Sequence, residues 1–149
     1  MPQREHWVVL AMCAALALSA CAKVEESAAA KAERFNLELV DEEKGLNRLT
    51  LVKNAAERIG VTTEKVGMLA RFGGESRRTS VPHGAVLYDP SGETFVYTSP
   101  EPLVFIRHPI TVDYVEDGVA VLVAGPSVGT PVVTVGVAEL FGMEFGVGK

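Results

Sequence analysis

The second half of the chain alternates short valine-rich runs with turn-forming residues, and this pattern restricts the fold more than any other feature. β-branched and aromatic residues favour strands, whereas Gly, Pro, Asn and Asp mark the turns between them. Asp89-Pro90-Ser91-Gly92 has the composition of a type I turn, and Asp117-Gly118 is a strong signal for a two-residue hairpin. The pattern predicts short strands over Ala85–Tyr88, Thr94–Thr98, Val104–Arg107, Thr111–Val115, Val119–Ala124 and Thr130–Val135.

Helical periodicity is confined to short stretches. Leu46–Val66 has the pattern of a strand, a short helix and a second strand. Its helical part carries apolar residues at positions i, i+3, i+4 and i+7, namely Val52, Ala55, Ala56 and Ile59. Gly60 follows at the position where a left-handed C-terminal cap is needed. Near the C-terminus, Val137–Phe141 is expected to form one helical turn.

Together these patterns predict a mainly β protein. We expect a single compact antiparallel domain, barrel-like or sandwich-like, with a short helix, preceded by a signal peptide and a flexible tether. The tether is rich in Ala, Glu and Lys and has almost no large apolar residue to bury. The expected segments are the signal peptide (1–20), the tether (21–34), a strand–helix–strand segment (35–72), a Gly-Gly hinge loop (73–78), a β domain (79–141) and a loose tail (142–149).

The N-terminus has the order of a secretory signal. A polar start with Arg4 precedes an uncharged apolar run from Trp7 to Ala20, which ends in small residues and a cysteine. The ending Leu18-Ser19-Ala20-Cys21 resembles the lipobox of bacterial lipoproteins. The resemblance implies that Cys21 receives a diacylglyceryl group and becomes the first residue of the mature protein. A plain signal peptide and a transmembrane anchor are the alternatives, although spanning a bilayer takes about 20 apolar residues.

Cysteine use and charge narrow the class of protein. Cys13 would be removed with the signal and Cys21 would carry lipid, so no intramolecular disulfide is expected. The net charge is −5, and loss of Arg4 and Glu5 with the signal leaves it unchanged. Nucleic acid is an unsuitable partner, because binding phosphates requires clustered Lys and Arg. Arg77-Arg78 is the one basic pair of the sequence.

The residue patterns of enzymes and metal sites are missing from the sequence. His83 and His108 have no second ligand at metal-binding spacing, and the mature chain would keep only Met68 and Met143. No serine lies in Gly-x-Ser-x-Gly or Ser-x-x-Lys, and Gly125–Thr130 lacks the lysine of a phosphate-binding loop. We therefore expect no catalytic residue, no cofactor and no metal, and a protein that is not an enzyme.

Two stretches of the chain resemble one known family. Val81–Thr98 (VPHGAVLYDPSGETFVYT) and Phe105–Gly142 (FIRHPITVDYVEDGVAVLVAGPSVGTPVVTVGVAELFG) resemble the C-terminal part of periplasmic adaptor proteins. These adaptors, also called membrane fusion proteins, belong to tripartite efflux pumps of the resistance-nodulation-division (RND) type. The resemblance implies the last barrel strand and the membrane-proximal β domain. Leu49–Val66 (LTLVKNAAERIGVTTEKV) is similar to the opening segment of the same family.

The chain departs from that family in its middle. Adaptors have lipoyl and α-hairpin domains between the two matching regions, and here Gly73-Gly74 stands near that point. Without the hairpin, the chain cannot bridge a pump and an exit duct. The part that remains is the one that, in the family, packs on the extracytoplasmic portion of the transporter. The family carries no catalytic residues in this region.

These observations lead to a functional hypothesis. We expect a membrane-anchored lipoprotein that serves as an adaptor-derived accessory subunit of an envelope transporter of the RND or ABC type. The alternative is a cell-surface lipoprotein that binds a small ligand or a cell-wall component. The expected location is extracytoplasmic, with Cys21 held in the cell membrane. In a two-membrane bacterium the anchor is in the outer membrane instead, since Ala22 after the cysteine resembles the class that is not retained.

Overall fold

A computed structural model describes residues 34–70 and 77–146. The predicted signal peptide, Cys21 and nearly all of the tether lie outside the described residues. The strands of the described part are β1 (Phe35–Asp41), β2 (Leu46–Leu51), β3 (Thr62–Lys65), β4 (Gly67–Ala70), β5 (Arg77–Pro82), β6 (Leu87–Tyr88), β7 (Thr94–Glu101), β8 (Val104–Pro109), β9 (Thr111–Glu116), β10 (Val119–Ala124) and β11 (Pro131–Val135). The helices are α1 (Lys53–Ile59) and α2 (Val137–Phe145), and a 3-10 turn covers His83–Ala85.

These strands form two antiparallel sheets. The large sheet has the order β1-β2-β8-β7-β11-β3, with β6 paired to β7, and the small sheet has the order β4-β5-β10-β9. The prediction of a mainly β, antiparallel, sandwich-like fold is therefore confirmed. Within the described residues the sheets stay open and do not close into a barrel. The segments predicted as 35–72 and 79–141 both contribute strands to the large sheet, where β2 pairs with β8 and β3 pairs with β11.

The described chain passes between the sheets four times, and two of these crossings are single buried residues. Val66 joins β3 of the large sheet to β4 of the small sheet, and Ile110 joins β8 to β9 in the same way. The Val66 N–H donates to the Thr130 carbonyl at 2.9 Å, and its carbonyl accepts from the Gly129 N–H at 2.8 Å. The Ile110 N–H likewise donates to the Thr94 carbonyl at 2.9 Å. These bonds matter because an unpaired buried backbone group is costly.

The large sheet separates two apolar cores. Because side chains alternate along a strand, neighbouring residues such as Val96 and Tyr97 point to opposite faces. The first core lies between the sheets and contains Val66, Val81, Ala85, Val96, Ile110, Ala120, Leu122 and Val132. The second core lies under the helices and contains Leu49, Leu51, Tyr97, Phe105, Val133, Val137 and Leu140. The resulting layers are helices, large sheet and small sheet.

Two local predictions are confirmed in detail. Asp117 and Gly118 both have positive φ, 49° and 76°, as a type I′ hairpin turn between β9 and β10 requires. Gly60 ends α1 with φ 71°, and its N–H donates to the carbonyls of Ala56 and Glu57. Turn chemistry was therefore readable from the sequence at both positions.

Two strands, β1 and β4, were not predicted, and two element predictions need correction. β1 was not predicted, because its five central residues are exposed and pairing with β2 holds it in place rather than burial of its own side chains. Ala85 lies in the 3-10 turn instead of a strand, a bend that buries it completely in the first core. Arg77 and Arg78 begin β5 instead of ending a loop, because they pair with Ala70 and Leu69 of β4.

The C-terminal helix is longer than one turn. Residues 142–145, predicted as part of a loose tail, continue α2 to Phe145, and Gly146 closes the helix with φ 66°. Gly142 within this stretch weakens its helix propensity. The physical reason for the longer helix is tertiary, because Leu140 and Glu144 are both buried against the large sheet.

Candidate functional site

The most polar buried region is a group of four side chains beneath α2, which we name the Glu144 cluster. It consists of Asn47 on β2, Tyr97 on β7, Arg107 on β8 and Glu144 on α2. The Tyr97 hydroxyl donates to Glu144 Oε2 at 2.6 Å, and Arg107 Nε donates to the two Glu144 oxygens at 2.8 and 2.9 Å. Asn47 Nδ2 donates to Glu144 Oε1 at 3.2 Å.

The strand register brings these residues together. Tyr97 and Arg107 are direct partners across the β7–β8 pair, so their side chains project from the same face. The guanidinium carbon of Arg107 also lies 4.9 Å from the Phe95 ring centre and 4.8 Å from that of Phe145. Arg107 Nη2 donates to the Gly45 carbonyl at 3.0 Å. The guanidinium thus donates hydrogen bonds through Nε and Nη2 and lies at cation–π distance from two aromatic rings.

The electrostatics of the cluster keep Tyr97 protonated. Burial raises the pKa of the Tyr97 phenol far above its usual value, and the hydrogen bond to the Glu144 carboxylate raises this pKa further. The Glu144 side chain is only 1% exposed. The Glu144 carboxylate is enclosed and already accepts hydrogen bonds from three residues. The arrangement therefore favours a structural role, in which Glu144 connects α2 to the large sheet.

The sequence patterns did not reveal this cluster. Arg107 interrupts an apolar strand pattern, Val-Phe-Ile-Arg, and Glu144 stands among apolar residues at the C-terminus. An isolated charge in an apolar run was the available signal, because such a charge needs a partner if it is buried. Predicting that Arg107 and Glu144 pair requires the register of β8 and the full length of α2. The end of α2, residues 142–145, was predicted to be part of the tail.

The candidate residues that the sequence patterns singled out do not come together in one site. Cys21 lies outside the described residues. His83 is exposed in the 3-10 turn, and His108 Nδ1 lies 2.8 Å from the carbonyl of Pro109. Arg78 approaches Asp113 on β9 at 4.0 Å across the small sheet. In residues 34–70 and 77–146, no group of three or more His, Cys, Asp or Glu side chains could hold a metal ion.

Depressions on the surface of the described part include a pocket and a groove. A pocket of about 210 Å³ lies where the start of β1 meets α1 and α2, and Arg34, Ala55, Arg58, Ile59 and Met143 line it. We name it the arginine pocket.

An open groove of about 470 Å³ lies at the β8–β9 corner beside the β6–β7 turn. Tyr88, Glu93, Phe95, Pro109 and Thr111 are among its lining residues.

Edge strand β1 presents an apolar surface. Leu37 and Leu39 extend the helix-covered face of the large sheet beyond the helices, and Leu39 is 60% exposed. The outer edge of β1 has no partner strand among the described residues, so its backbone groups are open to strand addition. This edge suits contact with another polypeptide.

No protein-family model matches the chain, and a search of curated proteins finds no match. No helix in the described ranges 34–70 and 77–146 has the length and apolar character needed to cross a membrane. The fold therefore defines the class of protein. It is a layered, mainly β domain with the buried Glu144 cluster and with depressions on its surface.

Proposed function

We propose that this protein is a membrane-anchored, non-enzymatic lipoprotein that serves as an accessory subunit of an envelope transporter. The observation that carries the proposal is the adaptor-like pattern of Leu49–Val66, Val81–Thr98 and Phe105–Gly142, combined with the lipobox that ends at Cys21. The partner is a transporter subunit of the RND or ABC class, and the anchor is lipid on Cys21.

The connection between β4 and β5 supports this proposal. Ala70 pairs with Arg77, so the two ends of the connection lie side by side. In the adaptor family that the sequence resembles, the lipoyl and hairpin domains lie near this point. A connection of six residues (71–76) can therefore stand in place of those domains, and the opening and closing segments pair through β2–β8 and β3–β11.

Photo-crosslinking in intact cells tests the proposal. A photoreactive amino acid is placed at Leu39 on β1, Met68 on β4 or Val123 on β10, which are exposed apolar positions on different surfaces. We expect at least one position to crosslink to a transporter subunit, identified by mass spectrometry. Cys21→Ala in the same background is the matched control and should abolish that crosslink, since the anchor holds the protein at the membrane.

Two results would contradict the proposal. One is the absence of any transporter subunit from all three positions when the protein is intact and anchored. The other is a crosslink to a transporter subunit that persists in the released Cys21→Ala protein, because the anchor would then have no part in the association.

The groove at the β8–β9 corner favours the alternative function, binding of a small ligand or a cell-wall component. Its volume of about 470 Å³ lies within the range of ligand pockets. Its lining residues include both apolar and polar types, among them Tyr88, Glu93 and Ile110. Crosslinks to cell-wall enzymes instead of transporter subunits would support this alternative.

A further inference from the structure

The arginine pocket combines positive charge with an apolar floor. Arg34 precedes β1, Arg58 lies in the last turn of α1, and both line the same pocket of about 210 Å³. Within residues 34–70 and 77–146, no carboxylate oxygen lies within 4.0 Å of either guanidinium. Glu57, the sequence neighbour of Arg58, is instead 3.7 Å from Lys53. The two guanidiniums are thus free to hold an anion.

The floor of the pocket is apolar. Ala55 is buried, and Ile59 and Met143 are partly buried residues packed against the second core. A pocket of about 210 Å³ is smaller than the roughly 300–1,000 Å³ of pockets for drug-sized ligands. It therefore suits one end of a molecule, with a charged head and a few methylene groups.

We propose that the arginine pocket binds the carboxylate or phosphate end of an acyl amphiphile. Arg34 and Arg58 hold the anionic head, and Ala55, Ile59 and Met143 contact the first methylenes. The pocket lies at the end of the predicted tether, a dozen residues of which span at most roughly 40 Å. A lipid anchor on Cys21 would hold it within reach of the headgroups. The proposal concerns ligand binding by this chain and does not depend on the transporter partner.

Methionine methyl groups provide a direct test. Met143 lines the pocket, whereas Met68 is exposed on β4 in the small sheet and serves as an internal control. The full chain carries ¹³C-methyl methionine in phosphatidylcholine nanodiscs and is titrated with hexanoate. We expect the Met143 signal to shift saturably and the Met68 signal to stay in place. A Met143 signal that does not respond to hexanoate would overturn the proposal.

Charge variants test the role of the guanidiniums. Arg34→Gln and Arg58→Gln should each raise the apparent Kd for hexanoate about tenfold, because each removes a charged hydrogen-bond donor. Arg77→Gln is the matched control, an exposed arginine of the small sheet, and should leave the Kd unchanged. Equal Kd values for all three variants would contradict the assignment of these arginines.

Two further probes distinguish the contribution of the anionic head from that of the alkyl chain, and identify the source of the ligand. Inorganic phosphate should bind at least about tenfold more weakly than hexyl phosphate, and equal affinity would refute the role of the apolar floor. Phosphatidylglycerol nanodiscs without added hexanoate identify the source. A Met143 shift there indicates a bilayer lipid, whereas a spectrum like that in phosphatidylcholine, with hexanoate binding retained, indicates a free amphiphile.

Discussion

Replacing Glu144 with alanine tests whether the Glu144 cluster stabilises the fold. The Glu144 side chain is 1% exposed and accepts from Tyr97, Arg107 and Asn47. Without the carboxylate, the buried Arg107 guanidinium keeps the Gly45 carbonyl and two aromatic rings as partners. Removing one partner of a buried ion pair costs about 3–5 kcal/mol. We expect Glu144→Ala to lower the free energy of unfolding by this amount.

The measurement is urea unfolding of the full chain in a nonionic detergent, followed by circular dichroism. A loss of stability shifts the midpoint at constant slope. Glu139→Ala is the matched control, since Glu139 is exposed in the first turn of α2. Its interaction with the helix N-terminus contributes about 0.3–1 kcal/mol. If Glu144→Ala costs no more than this control, the argument for the cluster is refuted.

A double variant separates the loss of the ion pair from the loss of packing. Arg107→Met combined with Glu144→Leu replaces both charges with apolar side chains of similar size. Such replacements are often neutral or stabilising, because the desolvation penalty disappears together with the attraction. We expect the double variant to recover part of the stability lost in Glu144→Ala, since the buried Tyr97 hydroxyl and Asn47 still lack their acceptor. A loss equal to the sum of the losses in the two single variants would contradict this reasoning.

Two further predictions concern pH and lipid attachment. The raised pKa of Tyr97 means that the folded state keeps a proton that the unfolded state releases above its ordinary pKa of 10.0. The contribution of this proton to the free energy of unfolding is complete below about pH 10. Above that pH the contribution decreases by at most about 1.4 kcal/mol per pH unit. Urea unfolding between pH 9 and 11 should show this decrease in the wild type and a smaller one in Tyr97→Phe; equal pH dependence would contradict the assignment. Cys21→Ala should abolish metabolic labelling with a fatty acid and leave the circular dichroism spectrum β-dominated, whereas Cys13→Ala should keep wild-type labelling. Wild-type labelling of Cys21→Ala would show that Cys21 is not the lipidated residue.

The fold class could be predicted because its signals are local. The turn at Asp117-Gly118 and the cap at Gly60 depend on backbone conformations that few residue types adopt readily, so composition alone identified both. β1 escaped prediction because its central residues are exposed and its partner strand holds it in place. A strand of this kind depends on its partner, which a local pattern does not contain.

The local sequence by itself determined the mainly β character, the hairpin at residues 117–118 and the short helix α1. Tertiary structure decided which polar residues meet. Tyr97 and Arg107 come together through the β7–β8 register, and Glu144 reaches them because α2 continues to Phe145 over the large sheet. Hydrogen bonds and ion pairs between distant segments act only after the strands have paired. These interactions therefore stabilise the last turn of α2, which the low helix propensity of a glycine-containing segment did not predict.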